Sequence, residues 1–159
     1  MAHAYAPYSG FKVGAALLCA DGSVYQGCNI ENAAYSPTNC AERTAIFKAV
    51  YDGHRDFAAI AVCGGKDGII TGAFPPCGVC RQVMREFCND DFLIYLVNDK
   101  GYETVTLRQL LPYGLLDYAR TRKADQGSRL CQYHIAQHGK ARSHAPGGGI
   151  GQNRNVQKP

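Results

Sequence analysis

The fold is decided by two short stretches of sequence, TNCAER at residues 38–43 and PPCGVCRQ at residues 75–82. Cys77 and Cys80 stand three residues apart, a spacing that puts both side chains on one face of the first turn of a helix. Cys40 is the candidate third thiolate. Zinc is usually four-coordinate, so three protein ligands leave one position for water, as in a catalytic site. The two stretches therefore predict a zinc centre, with one Zn²⁺ per subunit.

Glu42 is the candidate acid/base of this centre. It follows Cys40 by two residues, close enough to reach the water position without being a ligand. Cys-x-Glu at one helix start together with Pro-Cys-x-x-Cys at another matches the signature of zinc deaminases, in which the glutamate is the general acid/base. Three thiolates leave an excess of negative charge, which makes bound water a poorer acid unless a cation offsets it. Arg43 is the predicted charge-balancing residue, and Arg81 is a second candidate.

The flanking residues predict that both cysteine stretches lie at helix N-termini. Pro75 and Pro76 disfavour helix before Cys77, and Asn39 is the predicted cap just before Cys40. Amide groups at helix starts favour anions and lower the pKa of thiols, so thiolates form readily there. Each stretch alone also fits a plainer interpretation. A lone Cys-x-x-Cys is as often a redox pair or half of a structural zinc site, and a lone Cys-Ala-Glu could be a buried thiol beside a solvated carboxylate.

The remaining pattern predicts a three-layer α/β/α domain with a mixed five-stranded sheet. Strands are predicted at residues 13–18, 23–30, 57–63, 92–97 and 102–107, and helices at residues 40–53, 77–88 and 107–111. Asp21-Gly22 predicts a hairpin turn between the first two strands. The run at 57–63 is continuously apolar, as in a central strand covered on both faces. In such sheets, sites lie where strands end and helices begin, and both cysteine stretches fall there.

Composition and charge exclude several classes of function. The 159 residues suit one domain, no stretch has membrane-spanning length, and the first twenty residues lack a signal-peptide pattern. We therefore predict a cytoplasmic protein with reduced thiols and no membrane partner. Residues 1–112 hold nine Lys and Arg against eleven Asp and Glu, and this acidic body argues against a nucleic-acid partner. The cysteines outside the metal site are expected to be mostly buried thiols: Cys19, Cys28, Cys63, Cys88 and Cys131.

Residues 115–159 form a basic, glycine-rich tail that is poor in periodic apolar residues. We predict that this tail is disordered and that residues 1–114 form the folded domain. The histidines of the tail and its Cys131 show no metal-ligand spacing, so they are predicted to be solvated, and an RNA-binding arm is the other functional interpretation. The abrupt change after Gly114 suggests a shifted reading frame or a fused segment.

Four motifs in order resemble the small, homotetrameric cytidine deaminases that bind zinc through three cysteines. They are YAPYSGFKVGAA at residues 5–16, GCNIENA at 27–33, CAERTAI at 40–46 and PCGVCRQVM at 76–84. The resemblance runs from about residue 3 to residue 112. It implies the cytidine deaminase fold and the hydrolytic deamination of cytidine and 2′-deoxycytidine to uridine and 2′-deoxyuridine, with release of ammonia, in pyrimidine salvage.

The resemblance also implies roles for individual residues in the reaction. Zinc is held by Cys40, Cys77 and Cys80. Glu42 takes a proton from the attacking water, passes it to N3 of the pyrimidine, and then protonates the amine that leaves.

Substrate binding is implied for the loop at residues 29–35. Asn29 and Glu31 are expected to hydrogen-bond a ribose hydroxyl, and Phe11 to line the pocket. An amide and a carboxylate offer a hydroxyl both a donor and acceptors, although these residues could equally shape a turn. The complete set of predicted substrate contacts is Phe11, Asn29, Ile30, Glu31, Asn32, Ala33, Ala34 and Tyr35.

Two features depart from the family's pattern. The helix that usually precedes YAPYS is expected to be missing, which would leave core surface uncovered. Leu115 stands where the family usually has an aromatic residue that reaches a neighbouring subunit's site, so stacking on the base is expected to be weaker.

Three other functions fit parts of the sequence. Blasticidin-type deaminases share Cys-Ala-Glu and Pro-Cys-x-x-Cys-Arg-Gln, but GCNIEN at residues 27–32 favours cytidine. A polynucleotide deaminase is disfavoured because the body is acidic and lacks aromatic platforms for a strand. A zinc-stabilised interaction module without catalysis is disfavoured by Glu42 beside an open zinc position.

Overall fold

The computed structural model describes residues 1–115. Its elements are β1 (Phe11–Cys19), β2 (Val24–Cys28), α1 (Ala41–Tyr51), β3 (Phe57–Lys66), α2 (Gly78–Phe87), β4 (Leu93–Asn98), β5 (Gly101–Thr106) and α3 (Leu107–Leu110). The predicted disorder of the tail and the interpretation of its histidines with Cys131 lie outside the described residues. Within residues 1–115, no helix is long and apolar enough to cross a membrane.

One sheet contains all five strands in the order β2-β1-β3-β4-β5. β3 and β4 are parallel, and the other neighbours are antiparallel. A parallel pair needs a crossover connection, and the segment between β3 and β4 contains α2. The predicted α/β class and mixed five-stranded sheet are therefore confirmed.

The core lies on one face of the sheet. Leu17, Ile60 and Ile94 are paired across β1, β3 and β4, and all three are fully buried. They share one cluster with Ile46 of α1 and Met84 of α2, so both helices pack on this face. Each such side chain contributes about 2 kcal/mol when it leaves water.

The opposite face of the sheet is less well covered. Ala16, Ala61 and Tyr95 are paired there across the same three strands and stay half-buried, while Leu18 is 39% exposed. The described residues thus form the sheet and one helical layer of the predicted three-layer arrangement. The strand predicted at 57–63 is the central strand of the sheet, and its second face is half-buried within this part of the chain.

Element ends differ from the prediction where tertiary contacts extend or shorten a strand. β1 starts at Phe11 because its first residues pair with the end of β3, which continues to Lys66. β2 ends at Cys28, before the predicted residue 30. Asn39 is not the cap of α1, because the helix starts one residue later, with Cys40 at its N-cap. The Asn39 Nδ2 instead donates to Thr44 Oγ1 over 3.0 Å.

Gly27 allows α1 to lie directly on β2. A Cβ atom at this position would lie 2.2 Å from the carbonyl oxygen of Ala41 and 2.5 Å from the backbone nitrogen of Ala45. Real Cβ atoms do not approach backbone this closely, so only glycine fits beneath the first turns of α1. The contact sets the distance between β2 and the first turns of α1, the helix that starts beside Cys40.

We expect Gly27→Ala to lower the free energy of unfolding by about 3 kcal/mol or more, because the new methyl group must push α1 away from the sheet. Gly72→Ala is the matched control, since a Cβ atom there meets nothing within 4 Å. Urea unfolding of both variants and the parent chain measures the difference. Equal midpoints for the two variants would contradict the close approach.

Candidate active site

Both cysteine stretches lie at one edge of the sheet. Because β1 is antiparallel to both β2 and β3, these two strands run in the same direction and end at the same edge. The loops that follow them lead to α1 and α2, whose N-caps are Cys40 and Cys77. Neither cysteine caps its helix with its own side chain. Both thiols are therefore available to each other and to Cys80 in the first turn of α2.

The three sulfurs form a triangle that fits a zinc ion. Cys40 Sγ lies 3.8 Å from Cys77 Sγ, Cys77 Sγ lies 3.6 Å from Cys80 Sγ, and all three lie within 4.8 Å of one another. Tetrahedral zinc with bonds of about 2.3 Å to sulfur places its sulfurs about 3.8 Å apart. Cys80 is buried and Cys77 is exposed, so the triangle faces solvent on one side.

Charge is distributed unequally among the thiols. A hydrogen bond with the Cys80 thiol lowers the pKa of Cys40 to about 5, despite burial, and the Arg43 guanidinium acts in the same direction. The same hydrogen bond, together with burial, raises the pKa of Cys80. One thiolate forms easily without a metal. Full ionisation of all three needs a divalent cation among them.

Glu42 lies beside the triangle in the first turn of α1. Only 4% of the residue is exposed. Burial raises the pKa of its carboxyl group, and the nearby Cys40 adds to this effect through charge. A carboxyl group whose pKa is moved toward neutrality both accepts and returns protons efficiently. Glu42 has the position and the environment of a general acid/base.

Arg43 contacts the metal-binding group directly, whereas Arg81 does not. One terminal nitrogen of Arg43 donates to the Thr38 carbonyl oxygen over 2.8 Å and to Cys40 Sγ over 3.5 Å. Arg81 instead donates to the carbonyl oxygens of Pro76 and Leu110. Arg43 is therefore suited to offset thiolate charge, while Arg81 joins α2 to α3.

Asn29 is held by the start of β1. It is 8% exposed, its Oδ1 accepts from Val13 N over 2.9 Å, and its Nδ2 donates to the Phe11 carbonyl oxygen over 2.8 Å. An amide group has two donor hydrogens and two acceptor lone pairs. One of each is used here, so the side chain shapes the β1 end of the site and its contact with ribose stays a prediction.

Glu31 lines a cleft of about 330 Å³. Its Oε1 accepts a short hydrogen bond from Ser9 Oγ, and its Oε2 accepts from Tyr8 N over 2.9 Å and from Ser9 N over 3.2 Å. The Ser9 hydroxyl and these amides lower the pKa of the carboxyl group, so Glu31 stays ionised. The residues that line the cleft are Tyr8, Ser9, Glu31, Asn32, Tyr35 and Thr38.

Three of these cleft residues are predicted substrate contacts, namely Glu31, Asn32 and Tyr35. The sequence analysis missed the other three, although YAPYS at residues 5–9 is part of the first motif and could have indicated two of them. Tyr35 has φ 56° and is 77% exposed, and Ala33 and Ala34 lie in the exposed turn before it.

Phe11 and Ile30 lie near the cleft without lining it. Phe11 is 40% exposed, and its ring centroid lies 5.9 Å from that of Phe74. Ile30 exchanges two backbone hydrogen bonds with Asn39, each 2.9 Å long. This bridge joins the predicted substrate loop to the residue before Cys40, so the loop is tied directly to the metal-binding group.

The model of one protein family matches residues 1–96, and its description is cytidine and deoxycytidylate deaminase zinc-binding region. The chain belongs to this family. A cytidine deaminase from Sporosarcina psychrophila is 59% identical over 110 residues, which are 69% of this chain and 78% of the relative. One from Halalkalibacterium halodurans is 56% identical over 69% of this chain and 80% of the relative. The family prediction is confirmed.

Solved structures agree with this membership. Cytidine deaminase from Burkholderia pseudomallei superposes with a TM-score of 0.66 at 48% identity and covers 72% of this chain and 89% of that one. Cytidine deaminase from Mycobacterium tuberculosis superposes with a TM-score of 0.61 at 37% identity, and the match covers 73% of this chain and 88% of that one. A blasticidin-S deaminase from Bacillus cereus is more distant, at 32% identity over 68% of this chain and 77% of the relative.

We expect Cys77→Ala to lose about one zinc ion per chain, because two thiolates no longer complete the triangle. Cys88→Ala is the matched control, since Cys88 follows the other end of α2. Metal analysis after equilibrium dialysis measures the content of both variants. Equal zinc content in Cys77→Ala and the parent chain would contradict the proposed ligand set.

We expect Glu42→Gln to raise the free energy of unfolding of the metal-free chain at neutral pH. The folded-state pKa of Glu42 lies above the usual 4.5, so the charged form costs stability above that range. The gain should shrink as pH falls through the raised pKa and vanish once both states are protonated.

We expect Glu31→Gln to change the free energy of unfolding in the opposite direction. Because the folded-state pKa of Glu31 is lowered, its charge adds stability at neutral pH, and the amide should reduce the free energy of unfolding there. Urea unfolding at neutral and acidic pH measures both variants. A stability loss in Glu42→Gln at neutral pH would contradict a burial-dominated carboxyl group.

Proposed function

We propose that the chain is a zinc-dependent hydrolase that converts cytidine and 2′-deoxycytidine to uridine and 2′-deoxyuridine, with release of ammonia, in pyrimidine salvage. The observation that carries this conclusion is a triangle of three thiols with the buried carboxyl group of Glu42 beside it, in a member of the deaminase family. The chain spans more than three quarters of the length of the cytidine deaminases from Sporosarcina psychrophila and Halalkalibacterium halodurans.

The proposed mechanism gives each residue one task. Cys40, Cys77 and Cys80 would hold zinc, which when bound supplies the Lewis acidity that makes a water molecule nucleophilic near neutral pH. Glu42 accepts a proton from the water that attacks C4 and delivers it to N3. It then carries the second proton of that water to the amino group, which leaves as ammonia. Arg43 offsets part of the thiolate charge.

Nucleoside binding is proposed for the cleft beside this group. Ionised Glu31 uses three of about four acceptor sites on protein donors, and one lone pair is left for a ribose hydroxyl. Asn29 keeps one donor and one acceptor that its bonds to Val13 and Phe11 do not use. The other predicted contacts, from Ile30 to Tyr35 and at Phe11, complete the proposed binding site.

A homotetramer is also proposed, on the strength of the resemblance. Phe47 is 47% and Tyr51 is 90% exposed on α1, which is apolar surface suited to subunit contacts. Leu115 is 79% exposed, and its backbone N and O both bond the side-chain amide of Gln82. This clamp supports the proposal that residue 115 is presented to a neighbouring subunit.

The proposed setting is a reducing cytoplasm, because the site requires free thiols. The division into a folded domain at residues 1–114 and a tail at 115–159 also stays a proposal. The absence of nucleic-acid and membrane partners is proposed from the acidic charge and hydropathy of the body.

A blasticidin-type activity is the second candidate, favoured by the relative from Bacillus cereus at 32% identity. The lower identity of that relative and GCNIEN at residues 27–32 favour cytidine. A zinc-stabilised module without catalysis is disfavoured, because such a module does not require a buried carboxyl group beside its metal site.

We expect an ultraviolet assay to show turnover of cytidine and deoxycytidine, with little or none of cytosine or blasticidin S. Glu42→Gln should lower kcat by at least about 100-fold with a smaller change in KM, because it removes proton transfer and keeps the shape. The zinc content of this variant serves as the control. Turnover by Glu42→Gln at the parent rate would contradict the mechanism. Turnover of blasticidin S without turnover of cytidine or deoxycytidine would favour the blasticidin-type activity instead.

A further inference from the structure

A second group of metal-ligand side chains lies at the far end of α1. Cys19 ends β1, Asp21 lies in the turn of the β1–β2 hairpin, and His54 lies in the loop between α1 and β3. One ligand atom from each, a sulfur, a carboxylate oxygen and an imidazole nitrogen, lies within 4.8 Å of the other two. α1 contains 11 residues, so about 16 Å of helix separates this group from Cys40.

Contacts outside the group orient Asp21. Its Oδ1 accepts from Ser23 N over 3.0 Å and from Ser23 Oγ over 2.6 Å, while its Oδ2 lies 3.3 Å from His54 Nδ1. A backbone hydrogen bond of 2.8 Å from Ala20 N to the Asp56 carbonyl oxygen ties the hairpin to the loop that carries His54. Metal ligands in proteins are oriented by outer contacts of this kind.

The spacing of Asp21 and His54 fits two ligands of one ion. His54 Nδ1 and Asp21 Oδ2 lie 3.3 Å apart, which is the distance of an ion pair when no metal is bound. Tetrahedral zinc, with bonds of about 2.0 Å to each, separates such a pair by about 3.3 Å.

The charges of the group also favour a divalent cation. The Asp21 carboxylate supplies one negative charge, and a divalent ion that displaced the proton of the Cys19 thiol would gain a second. The group follows the C-terminal end of α1, where the helix dipole attracts cations.

We propose that Cys19, Asp21 and His54 form a second zinc site, completed by water, that ties the β1–β2 hairpin to the end of α1. Sulfur, nitrogen and carboxylate donors are the set that zinc accepts in proteins. The site is separate from the proposed active site and takes no part in its chemistry. Its function is to hold the hairpin against the loop after α1.

Metal analysis of the full chain, stripped of metal and reloaded with Zn²⁺, tests this proposal. We expect about two zinc ions per chain from the two sites together, and about one in Asp21→Asn and in His54→Gln. Asp56→Asn removes a neighbouring exposed carboxylate of the same loop and should keep the parent content. All three variants should keep the parent kcat, because none of these residues belongs to the proposed active site.

Co²⁺ loading supplies an independent readout. In Cys77→Ala, which disables the first site, we expect a thiolate-to-cobalt charge-transfer band from Cys19, and His54→Gln in that background should abolish it. The proposal is overturned if Asp21→Asn and His54→Gln bind as much zinc as the parent chain. That result would leave a buried thiol beside an ordinary surface ion pair, with any additional zinc held elsewhere.

Discussion

The site depends on how closely α1 approaches the sheet. Metal ligands tolerate deviations of only about 0.2 Å in their bonds to the ion, and Cys40 is carried by the first turn of a helix that touches β2 backbone to backbone at Gly27. Cys77 and Cys80 come from another helix, after another strand. The common direction of β2 and β3 brings the two helix starts together. The distance between α1 and the sheet then sets the distance from the Cys40 sulfur to the sulfurs of Cys77 and Cys80.

This placement also decides the electrostatics. The burial that raises the pKa of Glu42 would be unfavourable for three thiolates, unless cationic groups lie near them. Arg43 lies one turn from Cys40 and reaches its sulfur, and the amide groups of two helix starts face the same region. The protein thereby raises the pKa of the Glu42 carboxyl group and lowers the pKa of the Cys40 thiol, although the two residues lie only two positions apart in the chain. The two pKa shifts have different causes: burial acts on Glu42, whereas hydrogen bonds from Cys80 and Arg43 act on Cys40.

Local signals in the sequence predicted most of the fold and the chemistry. Some signals act within a few residues, so they can be recognised from the sequence alone. They are the cysteine spacing, the two prolines and the Asp21-Gly22 turn. The failures concern element boundaries and contacts between distant segments. Asn39 has the right chemistry for a cap, but α1 starts one residue later, with Cys40 at its N-cap. Apolarity of the strand at 57–63 could not reveal that its second face is incompletely covered within the described residues. The group of Cys19, Asp21 and His54 joins distant segments and left no local pattern.

The loop that follows β2 shows why structural and substrate-binding roles are hard to separate from sequence. Asn29 and Glu31 could either shape a turn or bind a hydroxyl, and the structure gives each of them protein partners at the start of the chain. These partners do not exhaust either side chain. A loop whose polar groups were all free would lose much conformational entropy on binding. Holding Glu31 with Tyr8 and Ser9 while one lone pair stays open removes part of that cost before a ligand arrives. The turn-forming and binding interpretations therefore support each other physically, and preorganisation of the loop is the link between them.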